Sequence, residues 1–266
     1  MTPRELLAHL DDGTMWPDGH AVAADGDLDR AYETAFAVRA LREARGERVA
    51  GYKLGWTNRA NWARQGVGGP MWGTLHDASI VACDGACAVS LGYGTLPRLE
   101  PEIVVGLRAA PTANATVDEL FDCIGWIAPA FEIVQSHLPD WGYTSAQTIA
   151  DSAVHARLVV GATAPAHLVA PDGTGLEQLL ARSRVRVFEG GTLRAQGTGE
   201  TVLGSPMIAL RHFVRDIASR DGATSLKAGD LVSTGTWTEA FALARGQRWR
   251  AEFEVPGLAP LSLALT

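Results

Sequence analysis

Residues 97–105 read PRLEPEIVV, and they place Glu100 and Glu102 two positions apart at the entrance to an apolar, β-branched run. Side chains alternate between the two faces of a strand, so both carboxylates should point the same way. Two like charges held this close are costly unless a cation or a proton lies between them. The stretch therefore predicts a strand that presents a metal site or a shared proton; a strand edge open to water is the alternative.

A third glutamate, Glu132, interrupts a second apolar run, APAFEIV at residues 128–134. An ionised glutamate is rarely fully buried unless it is paired or bound to a metal. Each glutamate taken alone could lie on a solvated edge strand, but three such interruptions favour the metal. Glu100, Glu102 and Glu132 would together offer hard oxygen ligands suited to Mg²⁺ or Mn²⁺.

Lys53 raises the same question with the opposite charge, because it lies inside the short apolar segment GYKLG at residues 51–55. Such a lysine either occupies an edge position and extends to water, or is a buried cation that faces an anion. A metal-bound anion or an attacking water would give a buried cation a function. The residues by themselves leave both alternatives open.

The composition excludes several classes of partner. The chain has 266 residues, of which 47% are hydrophobic and 20% charged, as in ordinary globular proteins. Its net charge of 23 − 30 = −7 argues against nucleic-acid and anionic-membrane partners, which require a basic face. No apolar run approaches the roughly 20 residues of a membrane span. The start, MTPRELLAHLDDG, is unlike a signal peptide, which favours a cytoplasmic location.

Three cysteines, Cys83, Cys87 and Cys123, are an odd number and too few for a disulfide scaffold. The simplest interpretation is that they are reduced, as in a cytoplasmic protein. Cys83 and Cys87 could form half of a zinc site, but no second pair of soft ligands has the required spacing. Small buried residues are the preferred interpretation.

The order of elements predicts a single domain over residues 1–266, with a helical N-terminal portion (1–50) and a β-rich metal-binding body (51–266). Apolar spacing predicts a helix over 28–45, with Gly46 as its stop. A second clear helix is predicted over 205–220. One or two inserted helices are expected in the body. A barrel or rolled sheet is favoured over a doubly wound sheet, and no GxGxxG or P-loop pattern supports nucleotide binding.

A series of motifs carries a family resemblance. In chain order they are GYKLG, GTLHD, PRLEPEIVV, PAFEIVQSHLPDW, TIADSA, VLGSPMIAL and LKAGDLVSTGTWTEA. From about residue 28 onward, the chain resembles the 2-keto-4-pentenoate hydratase and 2-oxo-3-hexenedioate decarboxylase family of the fumarylacetoacetase C-terminal-like superfamily. The resemblance implies an α+β fold, a mixed β-roll or barrel with a small helical N-terminal portion, and assembly as a homo-oligomer.

The resemblance also implies site residues. Glu100, Glu102 and Glu132 correspond to the ligands of a divalent metal, Mg²⁺ or Mn²⁺. By the same resemblance, Lys53 and Asp77 are predicted catalytic residues, and Ser233, Thr234 and Gly235 are predicted substrate-binding residues. His155 is predicted as a further catalytic residue and Gln135 as a further substrate-binding residue, although neither matches the family pattern.

The sequence departs from the family pattern near the expected site. EIVQSH replaces a D-S-R ending and introduces Gln135 and His137, while TIADSAVHA loses an asparagine and gains His155. Either histidine could transfer protons near neutral pH, or could simply be a hydrogen-bonded structural residue. Tryptophans at positions 56, 62, 72 and 237 make a larger or more aromatic substrate plausible.

The resemblance implies a divalent-metal-dependent hydratase that adds water to a 2-hydroxy-2,4-dienoate or 2-oxo-enoate in aromatic-compound catabolism. The first alternative is 2-oxo-3-hexenedioate (4-oxalocrotonate) decarboxylase, and the second is a C–C bond hydrolase of an acylpyruvate or diketo acid. A third is a non-catalytic partner subunit, since hydratases and decarboxylases of this family associate. One electron sink serves all three reactions, so the ligand set does not choose among them.

Overall fold

The structure is a computed structural model and describes residues 1–17, 22, 26–92 and 94–266. Its helices are α1 (Pro3–Asp12), α2 (Leu28–Ala44), α3 (Trp62–Gln65), α4 (Val117–Asp122), α5 (Ser145–Ala150), α6 (Ala166–Val169), α7 (Gly173–Arg182) and α8 (Pro206–Ser219). Its strands are β1 (Val49–Gly55), β2 (Met71–His76), β3 (Ile80–Ala82), β4 (Ala86–Val89), β5 (Arg98–Leu107), β6 (Ile124–Val134), β7 (His155–Val160), β8 (Ala164–Pro165), β9 (Arg184–Glu189), β10 (Thr192–Thr198), β11 (Leu231–Thr236), β12 (Phe241–Ala242), β13 (Arg248–Phe253) and β14 (Leu261–Leu265). Short 3₁₀ turns lie at Arg59–Asn61, Asp77–Ser79, Pro139–Trp141, Ser152–Val154 and Gly199–Thr201.

A mixed sheet is formed in the order β2-β1-β11-β5-β6-β7-β3, with β12 beside β5 and β8 beside β6. At its centre β5 and β6 form a long antiparallel pair, and β1 runs parallel to β11. A second sheet has the order β10-β9-β13-β14-β4. Antiparallel pairs outnumber parallel ones in both, so the prediction of an α+β fold without a doubly wound sheet is confirmed.

Aromatic side chains pack helices α2 and α8 against strands β2 and β1 of the large sheet. Tyr32 of α2 packs on Trp72 of β2 with ring centroids 4.9 Å apart, and Phe213 of α8 packs on Tyr52 of β1 at 5.3 Å. Tyr52 is fully buried on this side of the strand. Because neighbouring residues of a strand face opposite ways, Lys53 is directed to the other side.

The two long predicted helices are confirmed within a residue or two at each end. The N-cap of α8 is Ser205, whose hydroxyl accepts from the Met207 amide, and Gly46 follows α2 with φ of +100°. The body contains more helices than the one or two expected. Most of these have only four to six residues, too few for a helical period to show in sequence.

The cysteines differ from the prediction. Cys83 and Cys87 are joined by a disulfide across the turn between β3 and β4, with Cα atoms 5.5 Å apart. The prediction that these two are reduced is therefore wrong, and the closeness of positions 83 and 87 is explained without zinc. Cys123 is free. Among the described helices, none has the length and apolarity required to cross a membrane.

Candidate metal and substrate site

The three glutamates meet on one face of the β5–β6 pair. Glu100 lies directly opposite Glu132 in the antiparallel register, and Glu102 lies two residues further along β5. One carboxylate oxygen from each lies within 4.8 Å of the others. Glu102 and Glu132 are completely buried, whereas Glu100 reaches a cavity. The same-face argument for Glu100 and Glu102 therefore holds, and strand pairing adds Glu132.

The cluster carries an excess of negative charge. Burial raises the pKa of Glu102 well above its ordinary value, and Glu132 and Glu100 raise it further. Burial also raises the pKa of Glu100, to about 7, although nearby Lys53 opposes the shift. Glu102 Oε1 is buried without a hydrogen-bond partner among the described residues. A convergent set of carboxylate oxygens with an unpartnered atom fits a hard divalent cation such as Mg²⁺ or Mn²⁺.

Residues of β11 hold Glu102 in place. Ser233 Oγ donates to Glu102 Oε2 at 2.6 Å, and the Gly235 amide donates to the same oxygen at 2.9 Å. Gly235 has φ of +108°, and a Cβ at this position would collide with the side chain of Thr57. Thr234 points the other way and donates to the Ile103 carbonyl at 2.8 Å. Both hydroxyls are thus hydrogen-bonded inside the protein, and neither Ser233 nor Thr234 lines the cavity; their substrate-binding role stays a prediction.

The sequence left open whether Lys53 extends to water from an edge strand or is a buried cation that faces an anion. In the structure it is buried. It is 2% exposed, and its Nζ lies 3.1 Å from Glu132 Oε2 and 3.1 Å from the Ala153 carbonyl oxygen. Burial lowers its pKa, but Glu132, Glu100 and Glu102 raise it, and the net shift is upward. The burial of Lys53 contradicts the edge-strand alternative, and the raised pKa favours its protonated form.

An unusual backbone turn supplies the carbonyl that Lys53 contacts. Ser152, Ala153 and Val154 have φ values of 53°, 54° and 57°, in the left-handed region. Non-glycine residues rarely occupy this region in succession, and such strain is concentrated at functional sites. Gly73 makes room for the turn, because a Cβ there would contact Ala153 Cβ at 2.6 Å. The absence of glycine from residues 152–154 left no signal for this turn in the sequence.

His155 lies behind Glu132. Its Nδ1 is 2.8 Å from Glu132 Oε1, and its Nε2 is 2.9 Å from Ser79 Oγ. Burial lowers the pKa of His155, although Glu132 opposes the shift, so the ring is neutral. A neutral imidazole carries a single N–H. That hydrogen must be on Nδ1 if His155 is to donate a hydrogen bond to the Glu132 carboxylate. Ser79 Oγ also lies 2.8 Å from the His76 carbonyl oxygen, so its single hydroxyl hydrogen serves either that oxygen or His155 Nε2. The structure therefore brings His155 to the cluster, where it orients a carboxylate.

Three other predicted or singled-out residues lie elsewhere. Asp77 pairs with Arg48 near the surface, with Arg48 Nε 2.9 Å from Asp77 Oδ2, and does not line the cavity. Its carboxylate is satisfied there, so the structure gives no support to a catalytic role. Gln135 is buried beside the His155 carbonyl at 3.4 Å and also does not line the cavity. His137 Nδ1 lies 2.8 Å from Asp151 Oδ2.

A cavity of about 440 Å³ opens over Glu100 and Lys53. Several residues of the cavity wall were not predicted from the sequence. Arg98 shares a face of β5 with Glu100, so the two-residue period could have found it, whereas Trp141 and Tyr143 come from a loop without such a signal. Of the four tryptophans noted in the sequence, only Trp56 lines this cavity. A larger groove of about 590 Å³ lies on the second sheet, but among the described residues that line it there is no cluster of carboxylates, so the smaller cavity is the candidate site.

Comparisons with known proteins agree with this architecture. Residues 70–263 match the family model of the fumarylacetoacetate (FAA) hydrolase C-terminal domain. A 4-oxalocrotonate decarboxylase of a Pseudomonas species is 34% identical over 85% of this chain and 82% of its own length. A 2-hydroxyhexa-2,4-dienoate hydratase of Comamonas testosteroni is 32% identical over 90% and 86%.

Among solved structures, the 4-oxalocrotonate decarboxylase of Pseudomonas putida G7 complexed with magnesium and adipate superposes with a TM-score of 0.86. The alignment covers 100% of this chain and 99% of the other at 24% identity, which establishes a shared fold. The matched family model spans most of the chain, from β2 to β14. The chain therefore belongs to the fumarylacetoacetate hydrolase C-terminal family.

Proposed function

We propose that this chain is a divalent-metal-dependent lyase that adds water to a 2-hydroxy-2,4-dienoate and works as a single catalytic domain. The observation that carries the proposal is the buried set of Glu100, Glu102 and Glu132 beside Lys53, at the base of a cavity. The relatives named hydratase and decarboxylase, at 32% and 34% identity, support this reaction class.

In this proposal Glu100, Glu102 and Glu132 hold Mg²⁺ or Mn²⁺. When bound, the cation supplies positive charge that stabilises negative charge developing on the 2-oxo end of the substrate. Ser233 and the Gly235 amide keep Glu102 oriented through the bonds described above. His155 does the same for Glu132, in the way that second partners commonly orient metal ligands.

Lys53 supplies the second positive charge of the site. Its raised pKa keeps the ammonium protonated, so it acts as a hydrogen-bond donor and fixed charge near the substrate rather than as a base. The Ala153 carbonyl and Glu132 hold its Nζ in one place. Trp56 lines the cavity and offers a flat apolar surface to a conjugated carbon chain.

A second candidate reaction is decarboxylation of a 2-oxo-3-enedioate such as 2-oxo-3-hexenedioate. The observation that favours it is Arg98, a cation on the wall of the cavity that could receive a second carboxylate. C–C bond hydrolysis and a non-catalytic partner role remain the other sequence-based alternatives. Homo-oligomeric assembly and a cytoplasmic location also stay proposals, supported by the family resemblance.

The test is an assay of metal-stripped protein with and without Mg²⁺ or Mn²⁺, on 2-hydroxypenta-2,4-dienoate and on 2-oxo-3-hexenedioate, with products resolved by mass. Metal-dependent gain of water on the first substrate is the expected result. Loss of carbon dioxide from the second would identify the decarboxylase. Two acid products from an acylpyruvate would identify the C–C hydrolase.

Glu102→Gln tests the site itself. It removes a charged ligand and should weaken Mg²⁺ binding, measured by calorimetry, by about 100-fold or more, since even outer partners of metals contribute about 10- to 100-fold. Glu33→Gln, an exposed position on α2, is the matched control and should bind like the unmodified protein. Metal binding that survives Glu102→Gln, or that is absent from the unmodified protein, would contradict the proposed site.

A further inference from the structure

Arg98 has a distinctive setting on the cavity wall. Its guanidinium lies over the ring of Trp141, with Cζ 4.5 Å from the ring centroid. Stacking of this kind holds a guanidinium flat and leaves its N–H edge available for a planar acceptor such as a carboxylate. Trp141 itself is held in the left-handed region, with φ of 59°, at the end of the turn Pro139–Trp141.

In the described part of the chain Arg98 forms no ion pair and no side-chain hydrogen bond; its guanidinium contacts the Trp141 ring, and its charge acts on nearby Glu100 only through space. The other charged residues that line the cavity are Lys53 and Glu100. Lys53 is paired with Glu132, and Glu100 belongs to the carboxylate cluster. Arg98 is therefore the cation on this wall that is left for a ligand.

The spacing along β5 fits a substrate with two acidic ends. Arg98 and Glu100 are two residues apart on one face, which corresponds to about 6.6 Å along a strand. An extended six-carbon diacid separates its carboxyl carbons by roughly 6 Å, given carbon–carbon bonds of about 1.5 Å. A substrate whose 2-oxo end lies at the glutamate cluster would thus bring its far end to Arg98.

We propose that Arg98, stacked on Trp141, binds a second carboxylate at the end of the substrate remote from the 2-oxo group. The chain would then select 2-oxo-enedioates and 2-hydroxy-dienedioates over substrates with an apolar tail. This inference rests on the proposed function and narrows it. It also revises the expectation of an aromatic substrate, because Trp141 serves as a platform for the guanidinium.

Calorimetric titration of the Mg²⁺-loaded protein with adipate and with hexanoate tests the inference without turnover. These probes have six carbons each and differ by one carboxylate. Adipate should bind the unmodified protein about 10- to 100-fold more tightly, as expected for charge-assisted hydrogen bonds. Arg98→Met should abolish that preference and leave hexanoate binding within about 2-fold. Arg98→Lys should restore part of it, because the charge remains and the planar fork is lost.

Arg59→Met is the matched control. Arg59 also lies over a tryptophan, 5.8 Å from the Trp62 ring, but does not line the cavity, so the preference for adipate should persist. Equal weakening of both probes in Arg98→Met would overturn the inference, because Arg98 would then bind the carboxylate that both share. An unchanged preference, or failure of the unmodified protein to bind adipate, would overturn it as well.

Kinetic assays separate this inference from the proposed function. A diacid preference that depends on Arg98, without hydration or decarboxylation of any substrate, would support the Arg98 subsite and contradict the proposed function. Hydration of 2-hydroxypenta-2,4-dienoate without any diacid preference would support the proposed function and overturn the Arg98 subsite.

Discussion

Glu102 is held by its neighbours on β11, and one glycine makes this arrangement possible. The Gly235 amide reaches Glu102 Oε2 because the backbone adopts a φ of +108°, which favours glycine. The same residue lets Thr57 approach closely. The position of a proposed metal ligand thus depends on a residue that carries no functional group.

We expect Gly235→Ala to lower both stability and Mg²⁺ affinity. The substitution adds a backbone penalty of about 1–2 kcal/mol for the left-handed conformation and, in addition, a collision with Thr57. Gly229→Ala is the control, since its φ is +92° but no atom lies within 4 Å of the added Cβ. Urea unfolding and calorimetry should show a larger stability loss for Gly235→Ala, with weakened Mg²⁺ binding in that variant alone. Equal losses in the two variants would show that the contact with Thr57 is unimportant.

At the scale of elements, the segment between β6 and β7 forms one wall of the cavity and is anchored from inside. Asp151 Oδ2 accepts a hydrogen bond from the Tyr143 hydroxyl at 2.5 Å and lies 2.8 Å from His137 Nδ1. Trp16 packs on both rings, with centroids 6.0 Å from His137 and 5.4 Å from Tyr143. Asp151 directly precedes the left-handed turn whose carbonyl contacts Lys53, so this buried network supports the site.

Asp151→Asn should therefore destabilise the protein. The charged acceptor shared by Tyr143 and His137 is lost, and a loss of about 1–3 kcal/mol in the free energy of unfolding is expected. Asp140→Asn is the control, because Asp140 is exposed in the same segment and asparagine tolerates its φ of 55°. Denaturant titration measures both variants. A stability loss in Asp151→Asn no larger than in the control would contradict an anchoring role.

At the scale of the whole molecule, one buried histidine should make stability depend on pH. His76, at the end of β2, is 3% exposed, and neither ring nitrogen has a hydrogen-bond partner among the described residues. Burial, with a contribution from Arg42, lowers its pKa from 6.5 to about 3. Between these two values the unfolded chain binds a proton that the folded chain does not. His76 should therefore contribute a loss of stability as the pH is lowered from about 7 to about 4, whereas the raised pKa values of Glu100 and Glu102 act in the opposite direction.

The variant His76→Phe should remove this contribution, since its ring does not titrate, so that it loses less stability than the unmodified protein between about pH 7 and pH 4. His212→Phe is the control, because His212 is exposed on α8 and its replacement should leave the slope unchanged. Urea unfolding at a series of pH values between about 4 and 7 measures the slope. A slope that is the same in His76→Phe and in the unmodified protein would show that another group is responsible.

Local patterns predicted much of the fold and part of the site. The helical period over 28–45 and the cap and proline at 205–206 gave α2 and α8, because those signals lie within a few residues of one another. The two-residue spacing of Glu100 and Glu102 predicted a shared face. The roles of Ser233 and Thr234 were not predictable in this way, because which group each hydroxyl contacts depends on the neighbouring strand β5.

The sequence by itself determined the chemistry available to this protein: three carboxylates interrupting apolar strands, a lysine among apolar residues, and a family resemblance that implied the fold. Only the tertiary structure decided which of these groups meet. The register of β5 on β6 places Glu132 opposite Glu100, and the strained turn at Ser152–Val154 brings a carbonyl to Lys53. The tertiary structure also separates Asp77 from the cavity and places Arg98 on the cavity wall. The physical reason is that periodicity is local, whereas register, burial and charge pairing depend on strands distant in sequence.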